Sequence, residues 1–438
     1  MRVKLTANIV IVWLLCIVGT ASLAAELKLP ALISNNMVLQ QGRAVPIWGW
    51  SKPGETVTVS AEGRTLTARA GQDGQWQVML PAMQPGGPIQ ILVKDSSTTR
   101  TIENVLVGEV WVGSGQSNMA WPVRASLNPE QEIAAANWPK IRLFDVARTV
   151  ADTPQADCKG HWVECRPGTV GNFSAVAYFF GRELHKQLGV PVGMIAAAWG
   201  ATPSEPWTSR KALESEPLLK PLLEQWDQMV AQWPLVDPRF LKRYFRKVQN
   251  WEAAMAKADA AKKRPAPPPP DRSAKSSHRP ANLYNAMIAP LTRYPIRGAI
   301  WYQGESNVTR AWQYRTLLPL LIRDWRSAWG QADMPFGLVQ IAPFRYELDL
   351  NFPDIHPAWC AELREAQALT VKTVPNTGMA VTMDIGDVAD IHPKNKQEMG
   401  RRLALWALAT VYGRNIPYCG PMYESMAVEG NKIRIRFT

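Results

Sequence analysis

The chain has 438 residues, of which 46% are hydrophobic and 20% charged, with a formal net charge of +12. That balance belongs to a globular protein of two or three domains and excludes a disordered or fibrous one. The single continuous apolar run lies at the N-terminus, which excludes a polytopic membrane protein, and the 49 Lys and Arg residues are scattered, so the charge does not point to nucleic acid.

Residues 1–25 have the layout of a cleavable signal peptide. Arg2 and Lys4 precede the apolar run Ile9 to Val18, and the small residues Gly19, Ala21, Ser22, Ala24 and Ala25 follow. A retained anchor is the rival reading, and the run is short for one. Cleavage after Ala24 or Ala25 predicts a secreted or periplasmic chain, without membrane contact, in an oxidising compartment. Cys158, Cys165, Cys360 and Cys419 then remain. Cys158 and Cys165 bracket a short polar loop that a disulfide could close. A disulfide or free thiols are favoured over zinc, because neither CxxC nor HExxH occurs.

From 26 to 104 short apolar or alternating segments recur at Pro46–Trp50, Thr56–Ser60, Gln75–Met79 and Ile89–Val93. Turn signals at Pro53-Gly54, Gly71–Gly74 and Pro85–Pro88 separate them, a pattern that predicts a small all-β sandwich. The pattern changes at Val105. Val110–Val112, Val192–Ala198, Arg297–Tyr302, Phe336–Ile341 and Met379–Met383 read as buried strands. Helical periods at Ala175–Leu188 and Lys396–Tyr412 alternate with them, so residues 105–415 predict an α/β domain with a mainly parallel sheet. Residues 214–280 read as a helical insertion that ends in the polyproline segment Arg264–Pro270. Residues 416–438 read as the start of a C-terminal β segment that stops in mid-strand, as in a truncated product.

The chemistry falls at strand ends. Ser117 follows the first α/β strand in Gly113-Ser-Gly-Gln-Ser-Asn-Met119, the carboxyl end where parallel sheets collect ligands. Met119 breaks the lipase elbow G-x-S-x-G, which argues against an ordinary α/β-hydrolase. Alone, such a turn is better explained by structure, since Gly, Ser and Asn populate any turn. A base must come from five His, and Asp-Ile-His-Pro occurs twice, at 354–357 and 390–393. His392 sits between the last strand and the last long helix with Asp390 beside it, the layout of a base oriented by a carboxylate. His356 reads as structural or substrate-facing. Donors for an oxyanion are the N–H groups of Ser117 and Gly200 and the side-chain amide of Asn307 or Gln303.

Gly115-Gln-Ser-Asn-Met119, Trp199-Gly-Ala-Thr202, Trp301-Tyr-Gln-Gly-Glu-Ser-Asn307, Leu363-Arg-Glu-Ala-Gln367 and Asp390-Ile-His-Pro-Lys-Asn-Lys396 together resemble the blocks of the sialate O-acetylesterase family, a branch of the SGNH hydrolases. The likeness runs from about Leu29 to the end. It implies a three-layer, flavodoxin-like domain, Ser117 as nucleophile, His392 as base, and Gly200 with Asn307 at the oxyanion. It also implies removal of acetyl groups from sugars, sialic acid or plant polysaccharide, with no metal or other cofactor. Ala389 stands where many SGNH enzymes carry the acid, so Asp390 takes that role with Asp387 in reserve. The amide is offset from the usual Gly-x-Asn-Asp pattern, which keeps Gln303 beside Asn307. A secreted sugar-binding protein with a dead site would explain the 19 Trp, and a lipase would share the triad. The first leaves the strand-end coincidences unexplained, and nothing in the sequence suggests the greasy cleft of the second.

Overall fold

The structure, a computed structural model, describes residues 26–232, 246, 274–346 and 356–438. The predicted signal peptide, most of the predicted insertion with its polyproline segment, and Asp354 lie outside these.

The N-terminal strands are β1 (Val38–Gln40), β2 (Val45–Trp50), β3 (Thr56–Ala61), β4 (Arg64–Arg69), β5 (Gln75–Leu80) and β6 (Gly86–Lys94). β2 and β5 pair as one antiparallel ribbon, while β3, β4 and β6 pair with one another and with β7 (Thr99–Gly115). β4, Arg-Thr-Leu-Thr-Ala-Arg, is invisible to an apolar pattern because none of its side chains is fully buried.

β7 is far longer than the predicted Val110–Val112. Its first part pairs antiparallel with β6, and its last seven residues pair parallel with β10 (Val192–Ala198). It therefore runs straight through the composition change at 104–105, where Asn104 takes a left-handed backbone, φ 55°. An Asn tolerates that conformation better than most side chains.

The remaining strands are β8 (Trp138–Asp145), β9 (Trp162–Cys165), β11 (Gly298–Tyr302), β12 (Phe336–Val339), β13 (Thr377–Ala380), β14 (Tyr423–Glu429) and β15 (Lys432–Phe437). The sheet order is β13-β12-β11-β7-β10-β8-β9, parallel except for the edge strand β9. Taking β7, β10, β11, β12 and β13 in chain order, the arrangement is 2-1-3-4-5, that of flavodoxin-like sheets, with β8 and β9 added at one edge. β14 and β15 form a separate, fully exposed hairpin.

Helices are α1 (Ser117–Ala120), α2 (Pro129–Ala134), α3 (Pro167–Val170), α4 (Ala175–Leu188), α5 (Arg210–Ser215), α6 (Lys220–Gln232), α7 (Ala311–Ala328), α8 (Pro357–Thr373) and α9 (Lys396–Thr410). The period of two along each strand sorts side chains to opposite faces. Trp111, Met194, Ala196, Ile300 and Tyr302 join α4 and α9 in one core. Val110, Val112, Ile195, Ala197, Ala299 and Trp301 join α7 and α8 in the other, which is continuous with the N-terminal strands. The sheet is thus covered on both faces, as parallel sheets require.

Cys158 and Cys165 form no disulfide: both are buried thiols, and burial pushes each up to about 12. The tryptophans are largely core material, with Trp48, Trp111, Trp207, Trp301 and Trp325 fully buried.

Candidate active site

Ser117 is placed by a strand end that only glycine can form. Gly115 ends β7 at φ +138°, and a Cβ there would lie 2.2 Å from the Tyr302 carbonyl oxygen on β11. Beyond it the Gln116 N–H donates to Tyr302 O (3.0 Å), and Met119 N–H donates back to Gln116 O (3.0 Å). Ser117 therefore opens α1 at the carboxyl edge of the sheet, between β10 and β11. The Gln116 side-chain oxygen accepts from the N–H groups of Gly304 and Ser306 (3.3 and 3.2 Å), which ties this turn to the one after β11.

His392 comes to it from the other side. Its Nε2 lies 2.8 Å from Ser117 Oγ. Trp121 stacks on the imidazole at 4.7 Å between centroids and 16° between planes, with its own Nε1–H fixed on Ala125 O (2.8 Å). The ring is held flat and aimed at the hydroxyl. Asp390 Oδ1 accepts the backbone N–H of His392 at 2.9 Å and stands 3.8 Å from Nδ1. That distance is longer than a hydrogen bond but within ion-pair range of an imidazolium, and such contacts often tighten only with substrate bound. Asp387 instead accepts the N–H of Ala389 (2.9 Å) and is exposed.

The two copies of Asp-Ile-His-Pro do different work. His356 caps α8, its Nδ1 accepting the N–H of Ala358 (3.2 Å). In the second copy the cap of α9 is Asn395, which accepts from Glu398 (3.1 Å), so His392 is released from capping.

Gly200 lies directly against Ser117: a Cβ on it would sit 3.4 Å from Ser117 Cβ. Among the described residues, neither its N–H nor that of Ser117 is taken by a backbone acceptor. The following Ala201 is left-handed, φ 58°, and its carbonyl accepts from His278 Nε2 (2.8 Å). His278 thus braces the Gly200 turn.

The two candidate amides are buried behind the site. Gln303 Nε2 donates to Thr202 O (3.3 Å) and Asn307 Oδ1 (2.7 Å), and its oxygen accepts from Tyr314 OH (2.9 Å). Both its N–H groups are used inside the chain, so Gln303 serves the scaffold rather than an oxyanion. Asn307 accepts the Ser204 N–H (2.9 Å) and donates one N–H to Glu205 (3.1 Å), itself paired with Arg310. One Asn307 N–H remains beyond that contact.

Sequence reasoning overlooked the group beneath the site. Asn118, Glu305 and Lys396 are all buried, and Asn118 is bonded to both of the others. Burial lowers the Lys396 ammonium to about 7 and raises the Glu305 carboxyl. The signal lay inside the motifs: Lys396 and Glu305 are charged residues in short blocks bounded by buried elements, where a solvated face is unavailable. Among the described residues no group of three or more His, Cys, Asp or Glu is placed to hold a metal ion.

A parallel sheet covered on both faces, with Ser117 and His392 in contact at its carboxyl edge, is the arrangement on which the family comparison bears. Residues 273–409 match the family described as "Carbohydrate esterase, sialic acid-specific acetylesterase". The chain is 32% identical to the sialate O-acetylesterase of Rattus norvegicus, over 93% of this chain and 78% of that protein. For the Homo sapiens enzyme the figures are 30%, 94% and 76%. The crystal structure of a carbohydrate acetylesterase from Xanthomonas citri superposes with a TM-score of 0.76 at 33% identity, covering 94% of this chain and 82% of that one. The chain belongs to the sialate O-acetylesterase family and is a carboxylic ester hydrolase of the carbohydrate acetylesterase type.

Proposed function

We propose that the chain removes acetyl groups from O-acetylated sugars by a Ser-His-Asp mechanism, with Ser117 as nucleophile, His392 as general base and Asp390 as the carboxylate that orients it. The observation that carries this reading is the 2.8 Å contact between His392 Nε2 and Ser117 Oγ. Ser117 Oγ attacks the acetyl carbonyl as its proton passes to Nε2. The oxyanion that develops is met by the N–H groups of Ser117 and Gly200, with the Asn307 amide as the third donor. The sugar oxygen leaves with the proton from His392. Water, deprotonated by the same imidazole, then cleaves the acetyl-enzyme and releases acetate. Asp390 favours the imidazolium in both halves through its ion-pair range contact.

The sugar is either a sialic acid or a residue of a plant polysaccharide such as xylan or xyloglucan. The matched family and the mammalian relatives support the first, and the Xanthomonas relative supports carbohydrate in general. The arrangement proposed along the chain is a small β unit over residues 26–104, an SGNH hydrolase unit over 105–415 with a helical insertion near 214–280, and export directed by residues 1–25.

Two measurements test this. Ser117→Ala and His392→Ala should each lower p-nitrophenyl acetate turnover by roughly 10³-fold or more, while His356→Ala keeps the chemical step. Acetate released from O-acetyl sialosides, acetylated xylan and acetylated xyloglucan identifies the sugar. A preference for octanoyl over acetyl esters would replace the acetylesterase reading with a lipase.

A further inference from the structure

Asn118 follows the nucleophile directly and has no exposed surface. Its Nδ2 donates to Glu305 Oε1 at 2.7 Å and to the carbonyl of Ile391, the residue before His392, at 2.9 Å. Its Oδ1 accepts from Lys396 Nζ at 2.6 Å. An ammonium can only donate, and a carbonyl or an ionised carboxylate can only accept, so a single orientation of the amide satisfies all three partners. The four residues come from three separate segments: the turn after β7, the turn after β11, and the loop that carries His392 into α9. Lys396 Nζ also lies 5.8 Å from the ring of Trp121, the indole that stacks on His392.

We infer that Asn118, fixed by Lys396 and Glu305, is the joint that holds the nucleophile turn and the base loop in register for proton transfer between Ser117 and His392. All three are positioning residues, and the inference rests on the Ser117–His392 reading above. A core that had only to be stable would be as well served by apolar side chains of similar volume, because a buried charge is a poor source of stability. This cluster instead touches both halves of the reacting pair: Asn118 is the neighbour of one, and Ile391 is the neighbour of the other. Motion of either turn relative to the other must break one of its bonds.

The test compares Lys396→Met in the native chain and in the His392→Ala background. Met fills the volume of the lysine stem without a donor. In the native chain, p-nitrophenyl acetate turnover should fall by about 10²-fold with KM within about twofold, because the loss is in alignment rather than binding. In the His392→Ala background the same substitution should cost no more than about threefold, since a residue acting through the imidazole has nothing left to position. Equal losses in both backgrounds, or native turnover in Lys396→Met, would overturn the inference while leaving the Ser117–His392 reading intact. Native turnover in His392→Ala would remove that reading and this inference with it. If Lys396→Met does not fold, the isosteric Asn118→Asp takes its place. It turns an acceptor toward Glu305 and Ile391 and should lose activity, and Asn118→Asp/Glu305→Gln, which restores a donor across the first contact, should recover at least about tenfold. Absence of recovery refutes the joint.

Discussion

His392 is aimed by contacts that differ in strength and in kind. The Trp121 stack sets the plane of the ring, and Asp390 sits on its far side in ion-pair range. Removing the charge without changing shape isolates the second contact. Asp390→Asn should lower turnover by roughly 10³-fold while the protein stays folded, and Asp387→Asn should leave turnover within about twofold. The reverse pattern in a steady-state assay would transfer the acid to Asp387. Lys396 offers a separate measurement through stability. Folding lowers it from its ordinary 10.5 to about 7. Between those values the unfolded chain binds more protons than the folded one, so this residue makes stability rise with pH across that window. Lys396→Met removes the slope. In urea titrations the variant should therefore gain most over the parent at and below pH 7, with the gain shrinking toward pH 10. The motif that revealed His392 hid Lys396, because a lysine at a helix start normally reads as solvated; only the three-dimensional closure over Asn118 removes its water.

At the scale of elements, legibility followed the apolar signal. α4 and β10 lie where the periodicity predicts, at Ala175–Leu188 and Val192–Ala198, because buried runs there are bounded by Ser174, Gly189 and a proline. β13 ends at Ala380, not Met383, because Val381 and Met383 are exposed and Val381 O turns to accept from Arg402. β4 was missed because edge strands with polar faces carry no such signal. The turn after β7 could be located, but the reason for its shape lies in a neighbour. Gly115 is required by the backbone of β11, and nothing local to the Gly-Gln-Ser sequence announces that. Gly115→Ala should combine left-side backbone strain of about 1–3 kcal/mol with a clash that no rotamer relieves. The expected outcome is a clear fall in the melting temperature together with loss of turnover out of proportion to it, since the turn displaced with it carries Ser117. An alanine variant with parental melting and turnover would show that β11 moves freely away.

For the whole molecule, the thiols and the tryptophans show what holds the fold together. Disulfides do not join Cys158 and Cys165, which are buried thiols; Cys360 is buried and Cys419 exposed. The stability that disulfides would supply comes instead from two cores, one on each face of the sheet, into which most of the largest aromatics are packed. A thiol reagent applied to the folded chain beginning at Glu26 should modify one cysteine quickly and three more only on unfolding. Four fast thiols, or fewer than four in denaturant without reductant, would contradict this arrangement.

The length of β7 has a mechanical meaning. One strand is hydrogen-bonded antiparallel to β6 at its start and parallel to β10 and β11 at its end, and Ser117 stands two residues past its last pair. A tension applied to the N-terminal strands would travel along an inextensible backbone to Ser117, with no linker between to absorb it. The block of N-terminal strands is continuous with the sheet through β7 rather than joined to it by a linker. It is an anchor block, and the position of the serine along the sheet is referenced to it.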